Sequence, residues 1–254
     1  MPAMPDRATI LTYGGLIVVT AAAWVAMLRS PMGGDDMAGM QMLMRPTVAD
    51  VAAYVVAWAV MMAAMMLPSA MPLIALYAAT QRNSTRGSAR AVAVAGFAAT
   101  YLALWALSGV PIYFASLALM AVGPGALAYI TAGVLFVAGV FQLSPLKQAC
   151  LRHCRSPLGF FMGHWRGGWR GGLAMGWAHA WYCLGCCWAL MVVLVVAGAM
   201  GLPWVLLIAC VVAAEKLLPH GEWIARASGV ALVMLGLAVA IHPGLATVLR
   251  MAWA

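Results

Sequence analysis

One histidine and three cysteines recur at helical spacing in the apolar stretch WAHAWYCLGCCWALM, residues 177–191. His179, Cys183 and Cys187 are four residues apart, and Cys186 lies three residues after Cys183. In an α-helix such residues share one face. A single Cys in an apolar segment usually packs as a small hydrophobe, but thiolates together with an imidazole suit copper or zinc. The pattern therefore favours a metal site, although Cys183 and Cys186 also form the C-x-x-C spacing of dithiol carriers.

A second group of soft ligands lies in the stretch VMMAAMMLPSAMP, residues 60–72. Its candidate thioethers are Met61, Met62, Met65 and Met66. A Met-rich helix commonly reflects adaptable packing, but Pro68 and Pro72 follow directly, and broken helices often border sites in membrane proteins. Residue counting places these methionines and the cysteines at similar bilayer depth, so we expect them to face each other about halfway across the membrane.

Two further clusters lie outside these apolar stretches. Residues 29–47 form a polar, glycine-rich segment whose candidate ligands are Met37, Met40, Met42 and Met44. Thioethers form no disulfides, so they suit Cu(I) capture in an oxidising compartment.

The basic segment 144–172 carries Cys150, His153 and Cys154. This trio is too small for a closed zinc site without further ligands, and its cationic neighbours are expected to favour thiolates.

The elements that must position these residues are membrane spans. The 254 residues are 66% hydrophobic and 8% charged, with a mean hydropathy of +0.98, whereas soluble domains carry about 25% charged residues. We predict an all-α, polytopic transmembrane bundle forming one integral membrane domain, 1–254, with a bend or break at Pro68 and Pro72. The predicted spans are 8–28, 48–79, 91–119, 126–143, 173–198, 203–219 and 227–242. The sixth is short, so six crossings are the alternative to seven.

Basic residues set the expected orientation. The net charge of +8 comes from Lys and Arg in short loops, so it indicates topology and a lipid environment rather than nucleic-acid binding. The loop at 81–90 and the segment 144–172 contain no acidic residue and lie on the same side, which the positive-inside rule makes cytoplasmic. The N-terminus is then cytoplasmic, while residues 29–47 and the C-terminus lie outside.

Glu215 and Lys216 close the sixth predicted span. Charges at the edge of a span usually pair or reach toward the headgroups, and coupling to protons or ions is the competing interpretation. The sequence contains no phosphate-binding glycine loop and no Ser/His/Asp arrangement, so neither ATP-driven pumping nor hydrolysis is supported. We therefore expect a protein that is not an enzyme.

The segments CLRHCRSP, HAWYCLGCCWALM and EKLLP, together with MMAAMMLPSAMP, resemble a family of bacterial predicted metal-binding integral membrane proteins. That family includes a copper chaperone that helps to supply polyphenol oxidase. The resemblance covers about residues 50 to 220. It implies copper handling in the bacterial inner membrane and a recipient cupro-enzyme or accessory copper chaperone.

These observations lead to one main hypothesis and two alternatives. The main hypothesis is a Cu(I) chaperone or transporter that passes the ion from the outer methionines through the second-span methionines and the central cysteines to the basic segment. The first alternative is a membrane thiol–disulfide electron carrier that uses Cys183 and Cys186. The second is a permease for another small solute, with the same residues serving only for packing. Neither the direction of transfer nor the oligomeric state follows from the sequence.

Overall fold

A computed structural model describes residues 7–29, 47–81, 87–197 and 201–251. This part of the chain folds into ten helices and contains no strand, which confirms the all-α prediction. The helices are α1 (Arg7–Arg29), α2 (Val48–Thr80), α3 (Gly87–Met120), α4 (Pro124–Leu143), α5 (Pro145–Arg155), α6 (Pro157–His164), α7 (Gly168–Val196), α8 (Leu202–Leu217), α9 (Gly221–Ile241) and α10 (Gly244–Met251).

Six of these helices are long and apolar enough to cross a membrane: α1, α2, α3, α4, α7 and α9. They correspond to six of the seven predicted spans. The remaining predicted span forms α8, which has 16 residues. At a rise of about 1.5 Å per residue it is about 24 Å long, which is shorter than a hydrocarbon core of about 30 Å.

The packing shows that α8 runs from the vicinity of α10 to the level of the C-terminus of α4, where Glu215 accepts a hydrogen bond from Gln142. Near α10, the Trp204 indole donates to the Leu249 carbonyl at 3.2 Å, and Arg250 Nε donates to the Val196 carbonyl at 3.0 Å. At its C-terminus α8 meets the middle of α7, because Lys216 Nζ lies 3.0 Å from Cys183 Sγ. The chain then returns along α9, which is antiparallel to α4.

Helix α2 packs against α1, α3, α6 and α8. It begins at a capping box in which the Thr47 hydroxyl accepts from the Asp50 amide and the Asp50 carboxylate accepts from the Thr47 amide, an arrangement that satisfies helix N-terminal donors. The helix continues through Pro68 and Pro72 without interruption. Of the predicted bend or break at these prolines, a break is therefore absent, and the predicted bend stays a prediction. The methionines before the prolines belong to one continuous helix.

The basic segment 144–172, which we predicted to be a cytoplasmic loop, contains two short helices and the start of α7. Ser144 caps α5 and Ser156 caps α6, and each is followed by proline at the first helical position. This Ser-Pro pair is a helix-start pattern, since the hydroxyl accepts from a free amide and proline needs no acceptor there. Helix α5 packs against α7, α4 and α8. We call the end of the bundle at which α5 and α6 lie the α5 end.

Glycines bring α7 close to α3. Gly172 and Gly176 are four residues apart on α7, and a Cβ at either would collide with the Ala93 or the Phe97 carbonyl oxygen of α3. Such small-x-x-x-small pairs let membrane helices approach closely. The contact sets the register of α7, and with it the position of the cysteines that follow about two to three turns after Gly176.

The start of α7 is also attached to the end of α2. Gly168 has φ +73°, a conformation that favours glycine, and its carbonyl accepts a hydrogen bond from the Tyr77 hydroxyl at 2.8 Å. Its amide donates to Gln81 Oε1 at 3.2 Å. The start of α7, the helix that carries the three cysteines, is thus fixed against the end of α2, the helix that carries the four methionines.

Candidate metal centre

The three cysteines of α7 lie in the interior of the bundle. Cys183, Cys186 and Cys187 are each at most 1% exposed, as expected for residues on one face of a helix. Cys186 Sγ is 3.3 Å from Cys187 Sγ, and it also donates to the Cys183 carbonyl at 3.2 Å. A fourth sulfur comes from another helix, because Cys154 Sγ of α5 lies 3.7 Å from Cys186 Sγ. We call these four cysteines the thiol cluster.

The thiol cluster lies level with the C-terminal ends of α4 and α8. The Phe141 ring near the end of α4 contacts the Trp188 ring at 4.9 Å, one residue beyond the cluster, and Lys216 near the end of α8 contacts Cys183. The longer helices α2, α3 and α7 continue past this level, and α5 and α6 pack there. The cluster therefore lies near the middle of α7 and beside the C-terminal ends of α4 and α8.

His179 lies one turn before Cys183 and is 3% exposed. Its ring packs among aromatic side chains, with centroids 5.5 Å from Tyr101 and 5.4 Å from Phe160. Its Nδ1 has no hydrogen-bond partner among the described residues, although buried polar atoms are normally paired. The Tyr101 hydroxyl also reaches Cys183, with 3.1 Å between Oη and Sγ. An imidazole with a free nitrogen is thus available beside the cluster.

The structure separates the predicted trio Cys150, His153 and Cys154. Only Cys154 enters the thiol cluster. His153 is exposed and stacks on Tyr182 at 4.3 Å, while the half-buried Cys150 faces Gly185, where a Cβ would lie 3.0 Å from its sulfur. Sequence spacing could not distinguish these positions, since all three residues lie within two turns of α5.

The expectation that basic neighbours favour thiolates in this trio is wrong for both cysteines. Burial raises the pKa of the Cys150 thiol, and Lys147 opposes this effect only in part. A hydrogen bond with Cys183, aided by burial, raises the pKa of the Cys154 thiol well above its usual range. The neighbouring arginines donate to backbone carbonyls instead, Arg152 to Gln148 and Arg155 to Leu218 and Pro219.

The four methionines of α2 are all buried. Met61, Met62, Met65 and Met66 are each at most 2% exposed. Helix α2 packs against α8, and Lys216 of α8 lies between the two predicted ligand groups. Its Nζ is 3.9 Å from Met66 Sδ and 3.0 Å from Cys183 Sγ. Met66 is therefore linked to the thiol cluster through one intervening side chain.

Glu215 and Lys216 are both buried, at 1% and 6% exposure, so neither reaches toward the headgroups. Glu215 pairs with the fully buried Lys147 of α5, with 2.6 Å between Oε2 and Nζ. Its other oxygen accepts from Gln142 Nε2 at 2.8 Å and from the Ser228 hydroxyl at 3.2 Å. The predicted pairing at the end of this span is thus present for Glu215, but with a partner on α5 and inside the bundle.

Met37, Met40, Met42 and Met44 lie outside the described residues, so their predicted role in metal capture stays a prediction.

The donor chemistry of the described interior fits a soft ion. No three or more His, Cys, Asp and Glu side chains in the described ranges are arranged as a preformed metal site. Instead the cysteine sulfurs contact one another, the thioethers lie on the adjacent helix, and the His179 nitrogen has no partner. Thiolates and thioethers prefer Cu(I) over hard cations. Small side-chain rotations of Cys would be needed to direct the sulfurs to a common ion.

The fold and this interior define a multi-pass helical membrane protein with a buried cluster of thiols. Residues 55–239 match the family model described as PpoB2, a copper chaperone. The chain belongs to this family, which confirms the resemblance inferred from its Cys-rich and Met-rich motifs. Comparison with curated proteins and with solved structures gives no match.

Proposed function

We propose that this protein binds Cu(I) at the thiol cluster and delivers it to a recipient cupro-enzyme or to an accessory copper chaperone. The observation that carries the proposal is the meeting of Cys154 of α5 with Cys186 of α7 at 3.7 Å. Helices that are distant in sequence thus bring thiols together in an apolar interior, next to a copper-chaperone family match. Cu(I) is the cargo in this account, and the protein acts as a carrier rather than as an enzyme.

The route follows the soft ligands from the outer segment to the α5 end. Met37, Met40, Met42 and Met44 would capture the ion, and the buried α2 methionines would receive it. The thiol cluster and His179 would hold it next. The main hypothesis places the central cysteines and the cysteines of the basic segment at two successive sites. Because Cys154 belongs to the thiol cluster, we propose a single site in place of these two. Exchange between neighbouring soft ligands keeps the ion coordinated throughout.

The orientation belongs to the same proposal. The α5 end carries the basic segments and would face the cytoplasm of the bacterial inner membrane. In the proposed topology α8 also crosses the membrane, and the seven passes place the N-terminus inside and the C-terminus outside. A reporter active only outside the cytoplasm, fused at the C-terminus, is expected to be active. An inactive reporter with a well-expressed fusion would favour six passes.

Copper titration tests the binding proposal. Full-length protein is purified in detergent without oxygen, and bound Cu(I) is counted by competition with a chromogenic chelator. Replacing Cys183, Cys186 and Cys187 together by serine should abolish high-affinity binding. Cys210→Ser is the matched control, since Cys210 is exposed on α8, and it should bind like wild type. Equal copper content in the triple variant and the control would refute the thiol cluster as the binding site.

The same sulfur contacts allow a test of the electron-carrier alternative. Thiol trapping in cells reports whether Cys154, Cys183 or Cys186 forms a disulfide that cycles with a cytoplasmic reductant. The copper proposal expects these cysteines to remain reduced and to be protected from alkylation when Cu(I) is supplied. Cycling of a disulfide without any effect of copper would favour the alternative.

A further inference from the structure

Lys216 is a buried cation in contact with the thiol cluster. Its ammonium donates to Cys183 Sγ at 3.0 Å, to the Ser69 hydroxyl at 3.4 Å and to Met66 Sδ at 3.9 Å. Among the described residues it forms no ion pair with a carboxylate, because the neighbouring Glu215 turns toward Lys147. The chain therefore places a lysine with sulfur and hydroxyl partners where an apolar side chain would be expected.

Burying the Lys216 ammonium has a large cost in free energy unless an anion lies nearby. A buried ammonium requires a compensating charge as well as hydrogen bonds. Of its three partners, the Ser69 hydroxyl and the Met66 thioether satisfy N–H donors but carry no charge. Cys183 is the one contact whose sulfur becomes an anion on metal binding. The environment of Lys216 thus points to the sulfur cluster as its charge partner.

Charge balance explains what the lysine contributes when copper binds. Two cysteine thiols that bind one Cu(I) ion release two protons, and the resulting complex carries one net negative charge. In a low-dielectric interior an isolated anion is strongly disfavoured. Lys216 adds one positive charge within hydrogen-bond distance of a ligand sulfur, so the ion, the pair of thiolates and the ammonium together are neutral.

We propose that Lys216 is the counter-charge of the copper–thiolate complex, held against Cys183 to neutralise it inside the protein. The proposal rests on the proposed function and deepens it, because it assigns a role in copper binding to a side chain that is itself no metal ligand. Lys216 is therefore a positioning and charge-compensating residue of the site.

The test compares the Cu(I) affinity of full-length wild type, K216M and K216R, measured by chelator competition without oxygen. K216M keeps the apolar stem and removes the charge, and it should weaken Cu(I) binding about 10- to 100-fold, the range expected for a charge-assisted hydrogen bond. K216R keeps the positive charge beside Cys183 and should stay within roughly threefold of wild type. The control R226M removes a positive charge from the exposed face of α9 and should bind like wild type.

The outcomes separate the two claims. If wild type fails to bind Cu(I), the proposed function fails. If wild type binds and folded K216M binds equally tightly, the role of Lys216 is wrong while the function stands. If K216M does not fold, K216R decides alone: near-wild-type affinity supports charge compensation, whereas a loss of tenfold or more overturns it. Adding K216M to the Cys183→Ser variant should cause little further loss, because the charge acts through that sulfur.

Discussion

The buried pair between Lys147 and Glu215 should be a principal determinant of the stability of the α5 end. The pair joins α5 to α8 at 2.6 Å, with side chains 0% and 1% exposed, and the free carboxylate oxygen has two further donors. Glu215→Gln keeps the shape and an acceptor but leaves the Lys147 ammonium buried without its anion. Breaking a buried pair from one side costs about 3–5 kcal/mol, and we expect this loss in the free energy of unfolding.

The assay is equilibrium unfolding in mixed detergent micelles. Glu222→Gln is the matched control, because Glu222 is 3.9 Å from the partly exposed Arg155 and is itself 43% exposed. Exposed pairs contribute at most about 1 kcal/mol. The double variant Lys147→Met/Glu215→Gln removes both charges and should recover most of the loss, which gives a coupling energy of about 3 kcal/mol.

The same perturbation should be detectable at the metal centre. Lys147 and Cys154 lie on the same short helix, so releasing α5 from α8 should expose Cys154 to alkylating reagents. Mass spectrometry of the labelled peptides would show faster modification of Cys154 in Glu215→Gln than in Glu222→Gln. Equal stability and equal Cys154 labelling in these two variants would refute the view that the buried pair holds α5 in place.

Three further predictions concern other parts of the molecule. Gly176→Val should destabilise the protein or prevent its folding, because its side chain would collide with the Phe97 carbonyl. The control Gly133→Ala on α4 has open space around the added methyl group, so it should leave the free energy of unfolding unchanged in the same assay. Cys150 should alkylate slowly at pH 8 and faster only above the ordinary cysteine pKa of about 8.5, since burial raises its pKa; rapid labelling at pH 7 would contradict this. Met66→Leu should weaken Cu(I) binding measured by chelator competition by several-fold, about 1 kcal/mol, while Met71→Leu, at a partly buried position after Pro68, should leave it unchanged.

The spans could be predicted from the sequence because long apolar runs determine them almost alone. Helix α8 shows the limit of this reasoning. Its composition resembles that of the other spans, but it has only 16 residues, against 20 in α4 and 21 in α9. The two Ser-Pro starts at Ser144 and Ser156 and the glycine pair on α7 are visible in the sequence, and they indicate helices and a close helix contact that the loop interpretation omits.

The candidate site was predictable along one helix but not between helices. The shared face of His179, Cys183 and Cys187 follows from the periodicity of α7. The inclusion of Cys154 depends on how α5 folds back against α7, which is decided by the Lys147–Glu215 pair and by helix packing. The position of Lys216 against Cys183 depends likewise on the register between α8 and α7, which no local pattern encodes.

X-ray absorption spectroscopy of the Cu(I)-loaded protein would identify the atoms that coordinate copper. We expect sulfur atoms to dominate the first coordination shell of copper in wild type and in Cys210→Ser. In the protein with serine at 183, 186 and 187, this sulfur shell should be lost or copper should fail to bind. A wild-type shell of oxygen or nitrogen, or an unchanged sulfur shell in the triple variant, would contradict the assignment of the thiol cluster as the copper site.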